Sequence, residues 1–242
     1  LAPVELVQMV EDVPECTYLI EGYPGIGMVG VIAVRHLIRE KDAEPAFMLK
    51  VEDVPLAAVV HEGKPYPSAG VYVADDLALF YAEFPEMRPK VVRSIPEKIA
   101  DLAVEMGVEE VICIAGIRKP DLEGEPEVYY VATSKEAAEP FEDLAEPLEK
   151  GTITGVSGPL LLESDVRGLE AACLLVETPG MYPDPRAAAR VLEVLKEAIG
   201  VEVDVSALEE EADKIAKSVQ EAMERMKREQ EIEESTEERM FV

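Results

Sequence analysis

The sequence is poor in several residue types, and each scarcity excludes something. Only 23 of its 242 residues are Lys or Arg against 51 Asp or Glu, a net charge of −28. Such a surface repels phosphate backbones and anionic lipid, so roles on nucleic acid or at a membrane surface are excluded as expectations. No apolar run approaches the roughly 20 residues that a membrane span needs. The opening LAPVELVQMV has no basic-then-apolar signal pattern, which makes a cytoplasmic protein the expectation. The three cysteines, Cys16, Cys113 and Cys173, are odd in number, widely spaced and each set in an apolar, strand-like run. They read as buried thiols in a reducing compartment. There are two histidines, His36 and His61, and neither shows ligand spacing with the other or with a cysteine, so no metal site is expected. His36, between Arg35 and Arg39, reads as lying on a wet helix face.

What is present has globular proportions. Apolar residues make up 48% of the chain, and at this length folding hides roughly 70–75% of the surface of the open chain. Strand and helix patterns alternate over the first 200 residues. Strands are expected at 16–20, 46–51, 56–60, 70–74, 77–84, 111–115 and 173–178, with Asp75-Asp76 as a tight turn. A helix is expected over 28–39. Ser94-Ile-Pro-Glu97 reads as a capping box opening a helix that stops at Gly107, and Thr133 to Glu136 repeats that spacing before a helix to about Leu148. Asp184-Pro185 opens a further helix ending at Gly200. The order predicts an α/β fold: one three-layer α/β/α domain over 1–200 with a mixed, mostly parallel sheet, its antiparallel part falling between 46 and 84.

Beyond 200 the pattern changes. Ser206 and Glu209 form a third capping-box spacing, and Leu208, Ala212, Ile215, Val219, Ala222 and Met226 follow in a short heptad stripe. An amphipathic helix over 201–228 is expected, packed on its own domain or on another copy. Residues 229–242 read as a flexible acidic tail that ends in the apolar Met240-Phe241-Val242. These three residues bury nothing locally and read as displayed for another protein.

Two glycine-rich stretches are candidates for chemistry. Gly25-Ile26-Gly27-Met28-Val29-Gly30 matches G-x-G-x-x-G between a strand and a helix, with Glu52 and Asp53 near the distance of a ribose-binding acid. It is either an anion or nucleotide loop or a turn that lets a helix pack closely on the sheet, and Pro24 stiffens it. GTITGVSGP (151–159) is neither a phosphate loop nor a G-x-S-x-G elbow, and reads as a tight loop at a sheet edge with Ser157 a poor nucleophile. The adjacent acids Glu52-Asp53, Asp75-Asp76 and Glu109-Glu110 do not form a convergent acid–base pair by sequence. No feature requires an enzyme or a cofactor.

Four segments together resemble the archaeal form of the proteasome assembly chaperone 2 family: EGYPGIGMVG (21–30), AGIRKP (115–120) with VYYVAT (128–133), GTITGVSGPLLLESDVRGLEAACLLVETPG (151–180) and MYPDPRAAARVLEVL (181–195). The resemblance implies an α/β/α fold of phosphorylase/hydrolase-like type without an established catalytic centre. It also implies a homo-oligomer, a tetramer as first expectation, that chaperones or activates the core proteasome. Its C-terminal tails would dock between α-ring subunits through a hydrophobic–Tyr–any-residue motif. Met240 would take the hydrophobic place, Phe241 that of the tyrosine and Val242 that of the terminal carboxylate. Phenylalanine departs from the pattern: ring burial, worth about 1.5–3 kcal/mol, is kept, and a hydroxyl hydrogen bond of ~1 kcal/mol is lost. The alternative is a nucleotide- or phosphate-binding enzyme using Gly25, Gly27 and Gly30.

Overall fold

A computed structural model describes residues 4–51, 57–61, 63–83, 89–212 and 214–215. The order of elements is β1 (Val4–Gln8), β2 (Tyr18–Gly22), a 3-10 turn (Ile26–Met28), α1 (Val29–Glu40), β3 (Glu44–Val51), β4 (Ala58–His61), β5 (Lys64–Pro67), β6 (Ala69–Ala74) and β7 (Leu77–Ala82). There follow α2 (Pro89–Glu105), β8 (Glu110–Arg118), β9 (Val128–Ala132), a 3-10 turn (Glu139–Phe141), β10 (Glu146–Pro147), α3 (Ser157–Val166), β11 (Glu170–Thr178) and α4 (Pro185–Ile199).

Among the described residues nine strands form one sheet in the order β1-β3-β6-β7-β2-β8-β11-β9-β10. Alternation of side chains divides the core in two. Ile20, Ile112, Leu174 and Val176 face α1 and α4, whereas Leu19, Val111, Cys113, Cys173 and Leu175 face α2 and α3. The layers are therefore helix, sheet, helix, and the three cysteines are buried and free. The expectation of a mostly parallel sheet needs correction. The pairs β7/β2, β2/β8, β8/β11 and β9/β10 are parallel, and β1/β3, β3/β6, β6/β7 and β9/β11 are antiparallel, an even division. The antiparallel arm arises because β3, β6 and β7 follow one another without an intervening helix, so short turns reverse the chain. Asp75 makes the last of these with φ 52°. Ala58–His61, expected as one more strand in this run, pairs instead with Lys64–Pro67 in a separate two-stranded sheet.

Three helix starts also differ from expectation. α2 begins at Pro89, so Ser94 and Pro96 lie inside it, and Ser94 Oγ donates to Lys90 O at 2.9 Å rather than capping. Burial of Val91, Ile95, Ile99 and Leu102 against the sheet carries the helix through the proline, whose missing N–H would otherwise favour a start there. The segment after Thr133 forms only the 3-10 turn at Glu139–Phe141. Pro140 lies at its start and the wholly buried Phe141 draws the chain onto the sheet, where β10 then pairs with β9. The second half of GTITGVSGP is the first turn of α3, not a loop.

The chain is helical again over residues 206–212. Ser206 does not form the capping box: its N–H and Oγ both donate to Asp204 Oδ1, at 2.9 and 2.6 Å, and Glu209 N donates to Val205 O at 3.2 Å. His36 is buried at 8% exposure rather than wet, because α1 packs beneath this segment and His36 Nε2 donates to Asp204 O at 2.6 Å. Leu208 joins the α1/α4 core, so the stripe begins on its own domain. Val219, Ala222, Met226 and the tail motif Met240-Phe241-Val242 lie outside the described residues, as do Glu52 and Asp53. Among the described residues no helix is long and apolar enough to cross a membrane.

Candidate functional site

The carboxyl ends of β2, β8 and β11 lie side by side in the parallel centre of the sheet. After β2 the chain leaves through α1 to β3, β6 and β7 on one side, and after β8 it leaves toward β9, β10 and β11 on the other. The two exits diverge, and a crevice opens between the strand ends, as at the switch point of a doubly wound sheet.

Gly25, Gly27 and Gly30 are brought together here, on the turn from β2 into α1. Two of them are required by close packing. Gly27 has φ 65°, and a Cβ on it would stand 2.6 Å from Thr178 Oγ1. A Cβ on Gly30 would stand 2.6 Å from Ile114 O, so this residue lets α1 rest directly on β8. Gly25 is extended and open, with Tyr23 O the nearest atom at 3.9 Å. The turn is tied to α4 as well. Asp184 N donates to Gly27 O at 2.9 Å, and Asp184 Oδ2 accepts from Thr178 Oγ1 at 2.7 Å while its Oδ1 caps Ala187 N at 3.1 Å.

Beside the turn is a cavity of about 470 Å³, walled by Gly25 and Ile26, by the end of β8 from Ile114 to Arg118, and by the loop 150–157. In its floor, Ser157 Oγ donates to Glu21 Oε2 at 2.8 Å, and Tyr23 N donates to Oε1 at 2.7 Å. Glu21 is wholly buried. Burial pushes its carboxyl up to about 7, against the opposing pull of the hydrogen bonds from Ser157, Tyr23 N and Cys113. The same burial drives the thiols of Cys113 and Cys173 well above their ordinary value. At the opposite end of the strands Glu110, in register with Glu170, is also pushed up to about 7, by burial first and then by the neighbouring carboxylate.

Sequence reasoning missed Glu21 and assigned no ligand role to Arg118 or Lys150. The signal for Glu21 was its place in an otherwise apolar strand run directly before the glycine segment. Ser157 is neither paired with a histidine nor free to act as a nucleophile, its hydroxyl being committed to Glu21. Among the described residues no group of three or more His, Cys, Asp or Glu side chains has the geometry of a metal site.

The topology and the crevice define an α/β/α protein of doubly wound character extended by an antiparallel arm. The chain belongs to the PAC2 family, whose model matches residues 19–223. Its structure is similar to that of PbaA of Pyrococcus furiosus, an archaeal homolog of proteasome-assembly chaperone, at 34% identity and a TM-score of 0.84 over 99% of this chain and 100% of that one. It is also similar to Pyrococcus furiosus PbaB, an archaeal proteasome activator, at 25% identity and a TM-score of 0.80 over 92% and 100% of the two chains. An uncharacterized protein of Methanocaldococcus jannaschii is 30% identical over 232 residues, 92% of this chain and 88% of the relative.

Proposed function

We propose that this protein is a non-enzymatic proteasome assembly chaperone or ATP-independent proteasome activator that acts on the α ring of the core particle. The observation that carries the reading is the match of fold over essentially the whole of both chains to PbaA, supported by the likeness to PbaB. Met240, Phe241 and Val242 are the docking residues, and the polar stretch 229–239 is their tether. Several tails on one homo-oligomer, a tetramer in the simplest form, compensate for a weak single contact, since linked sites raise effective concentration without new contacts. The net charge of −28 keeps such an oligomer soluble and apart from nucleic acid.

The test is peptide hydrolysis by a latent archaeal core proteasome together with a direct binding assay, each with the full chain and with a chain ending at Arg239. Stimulation that disappears with the truncation identifies an activator. Tail-dependent binding without stimulation identifies an assembly chaperone. Equal binding by both chains removes the tail from the mechanism, and no binding by either removes the α ring as the partner.

A further inference from the structure

At the amino-terminal rim of the sheet a buried carboxyl lacks a partner. Glu110 opens β8 and Glu170 opens β11, and the two are in register on neighbouring parallel strands. Such strands lie about 4.8 Å apart, so side chains that leave them at one level on one face stand side by side. Ile112 and Ala172, next but one along each strand, belong to the core under α1 and α4, which puts both carboxyls on that face. Glu110 is 9% exposed, and its Oε1 is buried with no hydrogen-bond partner among the described residues. Buried polar atoms are paired in nearly all native structures, so this oxygen needs a partner that the heavy atoms around it do not supply.

The surroundings are acidic or already committed. Tyr18 opens β2 in register with Glu110, and its phenol is pushed up by burial and then by Glu110, Asp76 and Glu109. In the loop after β9, Lys135 and Glu136 are exposed. Lys41, after α1, pairs with Asp75 at 3.8 Å, and Lys196 of α4 pairs with Glu202 at 3.4 Å. Burial first and Glu170 second push the Glu110 carboxyl up to about 7, and no cation opposes them. A metal ion would need further ligands, and among the described residues no three acidic, histidine or cysteine side chains converge on one. Glu170 also fastens the chain beside it. Its Oε2 accepts from Ser134 Oγ, which accepts in turn from Ala137 N at 2.9 Å, and Thr133 N donates to Ala171 O at 2.9 Å. Residues 133–137 are thus tied to the start of β11, ahead of the edge strand β10.

We propose that Glu110 and Glu170 share one proton, and that this proton keeps the segment 133–137 fastened to the sheet. With the proton in place, neutral Glu110 donates to Glu170 and its orphaned oxygen gains a partner. Without it, two carboxylates face each other with no cation between them. Glu170, half-buried, then turns out to water and releases Ser134. Opening returns Glu110 to its ordinary value of 4.5. The closed form is therefore favoured fully below about 4.5, and that advantage is lost as pH rises through about 7. The adjacent Glu109-Glu110 does not converge, and the fold supplies Glu170 as the partner instead. The device is independent of any docking to an α ring.

The test is carbon-13 NMR of the side-chain carboxyls in the full chain, assigned by correlation to the backbone. It is read with hydrogen exchange of the Thr133 and Ala137 amides between about pH 5 and about pH 8. Glu170→Gln removes the neighbouring charge and leaves Glu110 to titrate, whereas Glu110→Gln removes the ionisation itself. Glu110 is expected to titrate near 7 in the parent and lower by about one pH unit or more in Glu170→Gln. Corrected for intrinsic exchange, protection of the two amides should fall more steeply in the parent than in Glu110→Gln. The difference is about tenfold per pH unit between about pH 5 and about pH 7. Glu21 titrates in both proteins and cancels. The proposal is overturned if Glu110 titrates at the ordinary carboxylate value, or if Glu170→Gln leaves its midpoint unmoved. It is equally overturned if the parent and Glu110→Gln lose protection in parallel.

Discussion

Ser157 and Glu21 meet at the base of the crevice, where the first residue of α3 donates its hydroxyl to a carboxyl near the end of β2 at 2.8 Å. The contact joins segments 136 positions apart and fixes the start of α3 against the parallel centre of the sheet. Tyr23 N takes the other carboxyl oxygen at 2.7 Å, so both oxygens are engaged and no cation is among the partners. A wholly buried carboxyl held this way is stable as the neutral acid and costly as the anion.

Stability should therefore depend on pH through Glu21. Its folded value of about 7 lies above the ordinary 4.5, so the folded chain binds more protons between the two. The stabilisation is complete below about 4.5 and is lost as pH rises through about 7. Glu21→Gln cannot ionise, and Ser157 Oγ can accept from its amide. Relative to the parent, the variant should gain on the order of 2–3 kcal/mol in going from about pH 5 to about pH 8. Urea unfolding at the two pH values measures that difference, and a gap that does not change with pH would show that Glu21 titrates normally. Glu110 contributes in the same direction in both proteins and cancels in the comparison.

The glycine fingerprint separates into parts by substitution. Gly30→Ala drives a methyl into Ile114 O, a backbone atom at 2.6 Å that cannot turn aside, and should cost about 1–3 kcal/mol. Gly25→Ala meets only Tyr23 O at 3.9 Å and should stay within about 0.5 kcal/mol of the parent. Thermal unfolding of the two variants decides the matter. Equal losses would mean that the turn, not the contact of α1 with β8, sets the requirement for glycine.

The layers were legible because burial writes them directly. The runs at 111–115 and 173–178 are apolar on both faces and became β8 and β11, and the proline and glycine bounding 185–199 became the ends of α4. Capping boxes misled where a neighbour competed for the same groups: Ser94 turned back to Lys90 O, and Ser206 gave its hydroxyl to Asp204. The glycine pattern placed the crevice but not its chemistry. Glu21, Arg118 and the loop 150–157 are distant in sequence, and only the parallel pairing of β2, β8 and β11 brings them to one place.

Asp184 holds α4, β11 and the glycine turn together, and its removal should show as non-additivity. Asp184→Ala loses the cap on Ala187 N, about 0.5–2 kcal/mol, and leaves the buried Thr178 hydroxyl without its acceptor, a further 1–3 kcal/mol or so. Thr178→Val removes that stranded hydroxyl. The double variant should be more stable than the sum of the single losses by about 1 kcal/mol. A denaturant double-mutant cycle reads the coupling, and simple additivity would mean that the 2.7 Å contact contributes nothing.

Phe241 tests the tail by gain rather than loss. If Met240-Phe241-Val242 docks as proposed, the ring is buried in the α-ring pocket and the missing hydroxyl leaves its acceptor there with water or with nothing. Phe241→Tyr restores the motif's hydroxyl and should tighten each tail by ~1 kcal/mol, about fivefold in dissociation constant. On an oligomer the gain multiplies over the engaged tails, so surface plasmon resonance on immobilised core particle should show it chiefly as slower dissociation. Binding that rises while peptide hydrolysis stays flat would place the protein among assembly factors, and a rise in both would place it among activators. Unchanged binding would show that the ring at 241 does not enter the pocket, and the α-ring contact would then have to be sought on the folded domain.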